Sequence, residues 1–290
     1  MRVIRRKNIY HLAMVLAIIQ SGCALLHDRT ANAIRLAEAH GFENEVVTTG
    51  HFKLRIFHRG LPVGSGHLRV YIEGDGSAWK QKYRLSSDPT PTDPVGLELA
   101  VRDPGEAVLY IGRPCQFLSE SDLSRCAPIY WSSHRYSEEV IAAVNSVIEN
   151  KAGRFDSLGL IGYSGGGSVA ALVAARRENV DLLMTIAANL DHRAWTAMHQ
   201  VSSLKGSLNA VDYIDSLQEI SQIHLAGASD DNVPFSLLKN YRDAADNPSD
   251  INIVEIDDYD HTCCWVENWP NLICKYSPVS IKACVSWAPR

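Results

Sequence analysis

The 290-residue chain is 46% hydrophobic and 21% charged, with 19 glycines and 12 prolines. These proportions exclude a disordered, collagen-like or coiled-coil chain and favour one large α/β domain. Without the first 22 residues, 24 basic side chains face 33 acidic ones, a net charge of −9. Phosphate backbones would repel a body of that charge, so no nucleic-acid partner is expected.

The first element in chain order is an N-terminal leader. Four basic side chains (Arg2, Arg5, Arg6 and Lys7) precede an apolar run over residues 9–19. This run is roughly half the ~20 residues of a membrane-spanning helix, which is typical of a cleaved export signal. We therefore predict a signal peptide over residues 1–22 and a location in the cell envelope, periplasmic or outer-membrane, with a secreted protein as the alternative.

The segment after the apolar run, residues 20–24 (QSGCA), resembles the lipobox of bacterial lipoproteins. In that motif the cysteine becomes the lipidated first residue. Ser21 and Gly22 match the small residues before it, whereas Gln20 stands where an aliphatic residue is usual. The resemblance implies a lipid anchor at Cys23, and through it the membrane as a partner. An ordinary secretory signal or an uncleaved anchor is the alternative.

The chain after the leader alternates between helical and strand patterns. Residues 30–42 have Ala, Ile and Leu at helical spacing and end at Gly41, which favours a C-terminal cap. Residues 46–59 alternate in the manner of an exposed edge strand. Residues 67–73 predict a strand that enters a Gly-Asp-Gly turn, and residues 86–94 predict a Pro-rich surface loop of low order.

The remaining chain predicts buried strands separated by helices. Apolar runs of strand length lie at residues 107–112, 158–163, 182–188, 222–226 and 251–256. Helical patterns lie at residues 137–151, 168–177, 207–218 and 235–246, the first with Ser137 as its cap. This alternation predicts a mainly parallel central sheet with helices on both faces. We interpret residues 30–290 as a single α/β domain.

One motif in this pattern carries chemistry. Residues 162–166 (GYSGG) match G-x-S-x-G between a predicted strand and a small-residue helix, as a nucleophile elbow requires. The tight turn would hold Ser164 strained with its hydroxyl exposed, and the helix N-terminus would stabilise an oxyanion. A P-loop would need a lysine after the glycines, and none follows here. A dinucleotide-binding site would need a G-x-G-x-x-G run, which this segment does not contain. A trypsin-like site would need its His and Asp before the serine in an all-β chain, and the helix predicted after Ser164 argues against that class.

Several motifs together resemble exported or lipoprotein members of the bacterial α/β-hydrolase superfamily over about residues 30–270. They are VYIEGDG, GRPCQ, GYSGGG, NLDHRAW, GASDDNVP and DHTCCW. The resemblance implies an α/β-hydrolase fold and a serine-triad hydrolase that needs no cofactor or metal. It implies no particular substrate.

The triad order in this fold is Ser, acid, His. Of the histidines after Ser164, only His261 follows the last predicted strand, so we expect it to be the base. Asp230 lies in a segment that resembles the G-x-x-D-x-x-V-P turn carrying the acid in many such hydrolases, with Asp231 as the alternative. His224 lies inside a predicted strand and is expected to be a core residue.

The oxyanion hole is expected to combine two backbone N–H groups. One belongs to Gly165, and the resemblance of residues 71–76 to the family's His-Gly turn assigns the other to Asp75. Glu73 then stands where histidine is common, and an alternative role for the Glu73 and Asp75 carboxylates is contact with a polar or cationic substrate. Residues expected at the substrate are Gly74, Tyr163, Trp131 and His192. Trp265 and Trp269 are expected to pack around the His261 loop.

Six cysteines remain beside Cys23: Cys115, Cys126, Cys263, Cys264, Cys274 and Cys284. An even set in an oxidising compartment predicts disulfides, although six cysteines allow fifteen pairings. A bond between Cys115 and Cys126 would staple one loop, and the other four would brace the segment of His261. A zinc site is the alternative, but the paired C-x-x-C spacing is missing.

These observations predict hydrolysis of a small-molecule carboxylic ester, lipid ester or thioester through an acyl-enzyme intermediate. A peptidase or an acyltransferase with the same triad is the enzymatic alternative. The second alternative is a non-catalytic envelope binding protein of the same fold. This hypothesis predicts that at least one residue of the triad is missing or out of place.

Overall fold

The computed structural model describes residues 28–50, 52–61, 66–81, 83–278 and 284. The predicted signal peptide and the lipidation candidate Cys23 lie outside these ranges. Within them, no helix has both the length and the apolar character needed to cross a bilayer.

Helices and strands alternate along the described chain. The strands are β1 (Glu43–Thr49), β2 (Phe52–Arg59), β3 (His67–Ile72), β4 (Trp79–Gln81), β5 (Arg84–Leu85), β6 (Val108–Ile111), β7 (Ser157–Tyr163), β8 (Val180–Ile186), β9 (Ser221–Gly227) and β10 (Ile251–Ile256). The α-helices are α1 (Arg29–Ala39), α2 (Val95–Val101), α3 (Glu120–Leu123), α4 (Glu138–Ala152), α5 (Gly165–Ala174), α6 (His192–Met198), α7 (Phe235–Asp243) and α8 (Trp265–Tyr276). Three 3₁₀ helices span Pro128–Trp131, Ala210–Leu217 and Pro248–Asp250.

Eight of these strands form one central sheet in the order β1-β2-β6-β3-β7-β8-β9-β10. β2 runs antiparallel to both of its neighbours, and the pairs from β6 to β10 are parallel. The carboxyl ends of β3, β7, β8, β9 and β10 therefore reach the same edge of the sheet. The predicted fold class, a mainly parallel sheet flanked by helices, is confirmed.

Hydrophobic side chains fill both faces of the sheet. On one face, α4 and α5 contribute Val140, Val144 and Val173 to a core with Leu160 of β7. On the other face, α1, α2 and α8 supply Ala37, Leu99 and Trp269 against strand residues such as Tyr110. Burial on both faces explains why the parallel strands are continuously apolar.

The structure differs from the local predictions at several places. Residues 46–59 form part of a hairpin rather than one strand, because Gly50, at φ +58°, lets the chain reverse between β1 and β2. The predicted helix over 207–218 is a 3₁₀ helix. Ser137 occupies the N-cap of α4, but its hydroxyl makes no capping hydrogen bond.

The predicted low-order loop over residues 86–94 is instead well anchored. The hydroxyl oxygen of buried Thr90 accepts a hydrogen bond from the Phe117 N–H at 2.8 Å, and the Ser77 N–H donates to the Pro89 carbonyl at 2.9 Å. The short β4–β5 hairpin, which the sequence patterns did not indicate, precedes this loop.

The predicted disulfides are present. Cys115 is bonded to Cys126, Cys263 to Cys264, and Cys274 to Cys284. The first bond closes the loop after β6, and the second joins adjacent residues that follow His261 by two and three positions.

Candidate active site

Ser164 lies on the sharp turn between β7 and α5. Its backbone adopts φ 50° and ψ −123°, a strained conformation for a residue with a side chain. A Cβ on Gly162 would collide with the Gly166 carbonyl oxygen, and a Cβ on Gly166 with that of Ile72. The turn therefore depends on both glycines, and it brings the serine hydroxyl to the carboxyl edge of the sheet.

A hydrogen-bonded chain connects this hydroxyl to a histidine and a carboxylate. The Ser164 Oγ lies 3.0 Å from the Nε2 of His261, and the His261 Nδ1 lies 2.9 Å from the Oδ2 of Asp230. The ionised Asp230 carboxylate can only accept, so Nδ1 carries the proton and Nε2 is free to accept the serine proton. Ser164 follows β7, Asp230 follows β9 and His261 follows β10.

Asp230 is held rigidly in the loop after β9. Its carboxylate is buried, and the N–H groups of Asn232 and Val233 each donate to its Oδ1 at 2.8 Å. Asp231, the alternative acid, is exposed and makes no contact with His261. The structure thus brings Asp230 and His261 to Ser164, and leaves Asp231 outside the arrangement.

The loop that carries His261 is fixed from two sides. The Tyr163 hydroxyl donates to the His261 carbonyl oxygen at 3.0 Å, and the Tyr163 ring contacts the imidazole with centroids 5.6 Å apart. The Trp265 indole N–H donates to the Asp260 carbonyl oxygen at 3.0 Å. Backbone hydrogen bonds from Cys263 and Thr262 lower the pKa of Asp260 and close the turn after the histidine.

Two backbone N–H groups beside Ser164 make no hydrogen bond to any residue in the described part of the chain. They belong to Gly165, the first residue of α5, and to Asp75, in the turn after β3. Asp75 lies so close to Gly165 that a Cβ added to this glycine would collide with the Asp75 Oδ1. Unpaired donors at this place suit an oxygen that gains negative charge.

The Asp75 carboxylate is neutralised by two arginines. The Arg135 Nη1 lies 2.6 Å from Oδ2, the Arg113 Nη1 lies 3.1 Å from Oδ1, and the Tyr136 hydroxyl donates to Oδ2 at 3.2 Å. Burial raises the pKa of Asp75, but the charges of Arg135 and Arg113 outweigh it and hold the pKa below its ordinary value. A carboxylate beside a developing oxyanion would be unfavourable if it were unpaired.

The segment after β6 supports the same turn. The Arg113 guanidinium also donates to the Arg135 carbonyl, and the Gln116 side chain donates to the Gly74 carbonyl oxygen at 3.0 Å while accepting from the Arg113 N–H. The GRPCQ motif therefore braces the Gly74–Asp75 turn.

Glu73 has a structural role beside the cleft. Its buried carboxylate accepts hydrogen bonds from the N–H groups of Gly74, Gly96 and Leu97 and from the Tyr110 hydroxyl. Burial raises the pKa of Glu73, and these donors partly offset that effect. The carboxylate thereby joins the turn after β3 to the first turn of α2.

Ser164, His261 and the Gly74–Asp75 turn line a cleft of about 800 Å³ at the carboxyl edge of the sheet. Gly74 and Tyr163 line it as expected, but Trp131 and His192 do not. Trp131 is buried with Ala78 and Cys115, and its indole donates to the Ser86 carbonyl. His192 is buried against the Tyr136 ring and borders a separate depression.

The other histidines after Ser164 also lie outside the triad. His224 is fully buried in β9, where its Nδ1 lies 2.8 Å from the Thr185 hydroxyl, and burial lowers its pKa to about 3. His199 and Trp195 both donate to the Asn232 carbonyl, which supports the loop of the acid. No group of three or more His, Cys, Asp or Glu within the described ranges is arranged to hold a metal ion.

Sequence reasoning missed much of the cleft wall. Trp79 from β4 lines it, as do Asp93, Glu98, Arg102 and Glu267. The contacts of Arg113 and Arg135 with Asp75 were not predicted either. A carboxylate in the predicted oxyanion turn needs a cation beside it, so Asp75 itself was the signal for these two arginines.

Solved structures of similar architecture include several hydrolases. A membrane phospholipase A described as a bacterial virulence factor superposes with a TM-score of 0.58 at 14% identity, covering 98% of this chain and 99% of its own. Est1E from Butyrivibrio proteoclasticus gives 0.55 at 12%, covering 79% and 95%. The serine hydrolase CarC, involved in carbazole degradation, gives 0.51 at 14%, covering 86% and 100%.

The chain therefore has the α/β-hydrolase fold. No family model matches the sequence, and the comparison with curated proteins finds no significant match. At these identities the likeness defines the fold alone.

Proposed function

We propose that this chain is a serine hydrolase that cleaves a carboxylic ester, with lipid esters and thioesters in the same class of substrate. The hydrogen-bonded chain from Ser164 through His261 to Asp230, with the unpaired N–H groups of Asp75 and Gly165 beside it, carries the proposal. The fold of the hydrolases described above supports it.

In the first half of the reaction, the Ser164 Oγ attacks the ester carbonyl carbon while His261 Nε2 takes the hydroxyl proton. The carbonyl oxygen becomes an oxyanion that accepts hydrogen bonds from the Asp75 and Gly165 N–H groups. Asp230 holds the imidazole in the required tautomer and stabilises the imidazolium. Collapse of the intermediate expels the alcohol, which receives the proton from Nε2 and leaves an acyl group on Ser164.

In the second half, water enters the position of the departed alcohol. His261 Nε2 takes a proton from this water, whose oxygen attacks the acyl carbonyl carbon. The oxyanion forms at the same two N–H groups, and its collapse breaks the bond to Oγ. The proton returns to Ser164, and the carboxylic acid leaves.

Labelling with a fluorophosphonate tests the nucleophile. Wild-type protein is expected to take up one label and to lose esterase activity in parallel, whereas Ser164→Ala takes up none. Ser236→Ala, at an exposed position on α7, is the matched control and should label like wild type. A wild-type protein that is folded, unlabelled and inert toward esters would instead be a binding protein.

A panel of matched substrates separates the enzymatic alternatives. An ester and an amide of one acyl group are compared at equal concentration, with and without an added alcohol. Faster cleavage of the ester supports the proposal. Preferential cleavage of the amide would favour a peptidase, and transfer to the added alcohol in preference to water would favour an acyltransferase.

A further inference from the structure

The charges along the cleft are unevenly paired. Arg102 binds Glu98, and Arg135 binds Asp75, so both arginines that line the cleft already have a carboxylate partner. Asp93 and Glu267 also line it, and both are exposed. Neither carboxylate has a hydrogen bond or ion pair with any residue that the structure describes.

The balance of charge in the site is therefore negative. Glu98 and Asp75 have arginine partners, and Arg113, the second cation at Asp75, is not among the residues that line the cleft. No such partner offsets Asp93 and Glu267 within the described ranges. A positively charged group that entered the cleft would gain from both of them.

A second, independent feature of the cleft calls for a hydrogen-bond donor. Asn189 follows β8 and lines the cleft, yet it is only 6% exposed. Its backbone oxygen accepts from the Ser168 hydroxyl, but its side-chain oxygen is buried without a partner among the described residues. Buried polar atoms are nearly always satisfied, so a bound molecule is the natural source of the missing donor.

Two tryptophan side chains complete the arrangement. Trp79, 48% exposed on β4, and Trp195 of α6 line the same cleft. The indole of Trp195 is held in place by its hydrogen bond to the Asn232 carbonyl. Indole faces attract cations more strongly than other aromatic side chains do.

We propose that the cleft selects esters that carry a protonated amino group, an inference that rests on the proposed ester hydrolysis. One such group supplies a positive charge for Asp93 and Glu267, an N–H donor for Asn189 and a cation for the indole faces. A long apolar acyl chain satisfies none of these features. The preferred substrate is therefore a water-soluble amino ester and not a neutral lipid.

Two isosteric substrate pairs test this selectivity, with the charge on opposite sides of the scissile bond. The first pair is 3-(dimethylamino)propyl acetate and 4-methylpentyl acetate. The second is the methyl esters of Nα-acetyl-lysine and of Nα-acetyl-2-aminoheptanoic acid, whose pentyl side chain has the same number of heavy atoms as that of lysine. The cationic member of at least one pair is expected to have a kcat/KM about tenfold higher or more, and added salt should reduce the ratio.

Variants connect the selectivity to the unpaired carboxylates. Asp93→Asn and Glu267→Gln are each expected to lower the cationic-to-neutral ratio about threefold or more. Asp246→Asn and Glu219→Gln remove matched exposed charges outside the cleft and should leave the ratio unchanged. Measuring a ratio within one variant cancels general losses of activity or of folded protein.

Hydrolysis of the neutral esters with no cationic preference in either pair would overturn this inference and leave the proposed function intact. A preference that survives both cleft variants would overturn it as well, since the charge would then act elsewhere. Folded protein that hydrolyses no ester of either pair and takes up no fluorophosphonate would refute the proposed function, and this inference with it.

Discussion

Asp230 uses its two carboxylate oxygens differently. Oδ1 accepts the N–H groups of Asn232 and Val233, both at 2.8 Å, and so fixes the loop after β9. Oδ2 accepts the Nδ1–H of His261 at 2.9 Å. The first contact is structural and the second sets the tautomer of His261, so the two can be separated by a substitution that keeps one of them.

Asp230→Asn is such a substitution. The amide oxygen can still accept from the loop N–H groups, whereas an amide N–H toward Nδ1 favours the wrong imidazole tautomer. We expect kcat for ester hydrolysis to fall by about 10³- to 10⁴-fold, with the melting temperature nearly unchanged. Steady-state kinetics and a thermal melt measure the two quantities.

The neighbouring carboxylate supplies the control for this substitution. Asp231→Asn removes an exposed acid from the same turn and is expected to leave kcat within about twofold of wild type. If Asp231→Asn were the inactive variant, Asp230 would not be the acid of the triad.

We expect Arg135 to act as a positioning residue for the Gly74–Asp75 turn. Its guanidinium is the closer of the two that bind the Asp75 carboxylate, at 2.6 Å. In Arg135→Met the carboxylate keeps only Arg113, so it becomes less neutralised and less firmly placed beside Gly165. We expect kcat to fall about 10- to 100-fold with a much smaller change in KM.

Comparison with two other arginine variants makes this prediction specific. Arg135→Lys, which restores a cation, should recover part of kcat. Arg193→Met breaks an exposed ion pair with Asp212 and should have little effect. A rise in KM without a fall in kcat would instead make Arg135 a substrate-binding residue.

At the scale of secondary structure elements, His224 makes the pairing of β8 and β9 sensitive to pH. The imidazole is fully buried and bonded to Thr185 of the neighbouring strand, and burial lowers its pKa from 6.5 to about 3. In the unfolded chain the His224 imidazole binds a proton below its ordinary pKa of 6.5, whereas in the folded chain it stays neutral down to about pH 3. Stability therefore falls as the pH drops below about 6.5.

Between pH 7 and pH 5 this one group is expected to cost about 2 kcal/mol of the free energy of unfolding. His224→Gln keeps a hydrogen-bonding side chain but cannot titrate. The free energy of unfolding of this variant should therefore decline by about 2 kcal/mol less between pH 7 and pH 5 than that of the wild type. Urea unfolding at both pH values measures the difference. Parallel declines in wild type and variant would mean that His224 takes up its proton without unfolding.

Local patterns predicted the elements well where packing agreed with them. The strand over 158–163 and the helix over 137–151 were found within a few residues because their apolar spacing matches the faces that they bury. Residues 46–59 were misread because Gly50 sits inside an otherwise continuous alternation. The period of the hydrophobic pattern predicts whether a segment is a helix or a strand. It does not show where a residue with a positive φ angle, such as Gly50, reverses the chain.

For the whole molecule, the parallel sheet and the placement of Ser164, Asp230 and His261 could be predicted, because each residue lies beside a strand end with a local motif. The cleft wall could not. Asp93 comes from the loop before α2 and Glu267 from α8, and no local pattern shows that such distant segments face one cleft. The prediction that Trp131 lies at the substrate was wrong for the same reason. Its partners Ala78 and Ser86 belong to the region of the β4–β5 hairpin, which is distant from Trp131 in the sequence.

The order of the strands has a practical consequence for anyone who studies this molecule. The proposed nucleophile, base and acid follow β7, β10 and β9, and a proposed donor to the oxyanion follows β3, so no short peptide from the chain contains the full set. If the sheet comes apart in urea, the hydroxyl at position 164 reverts to an ordinary alcohol. Covalent capture of that single oxygen would thus report the assembly state of the entire sheet, without any spectroscopic signal.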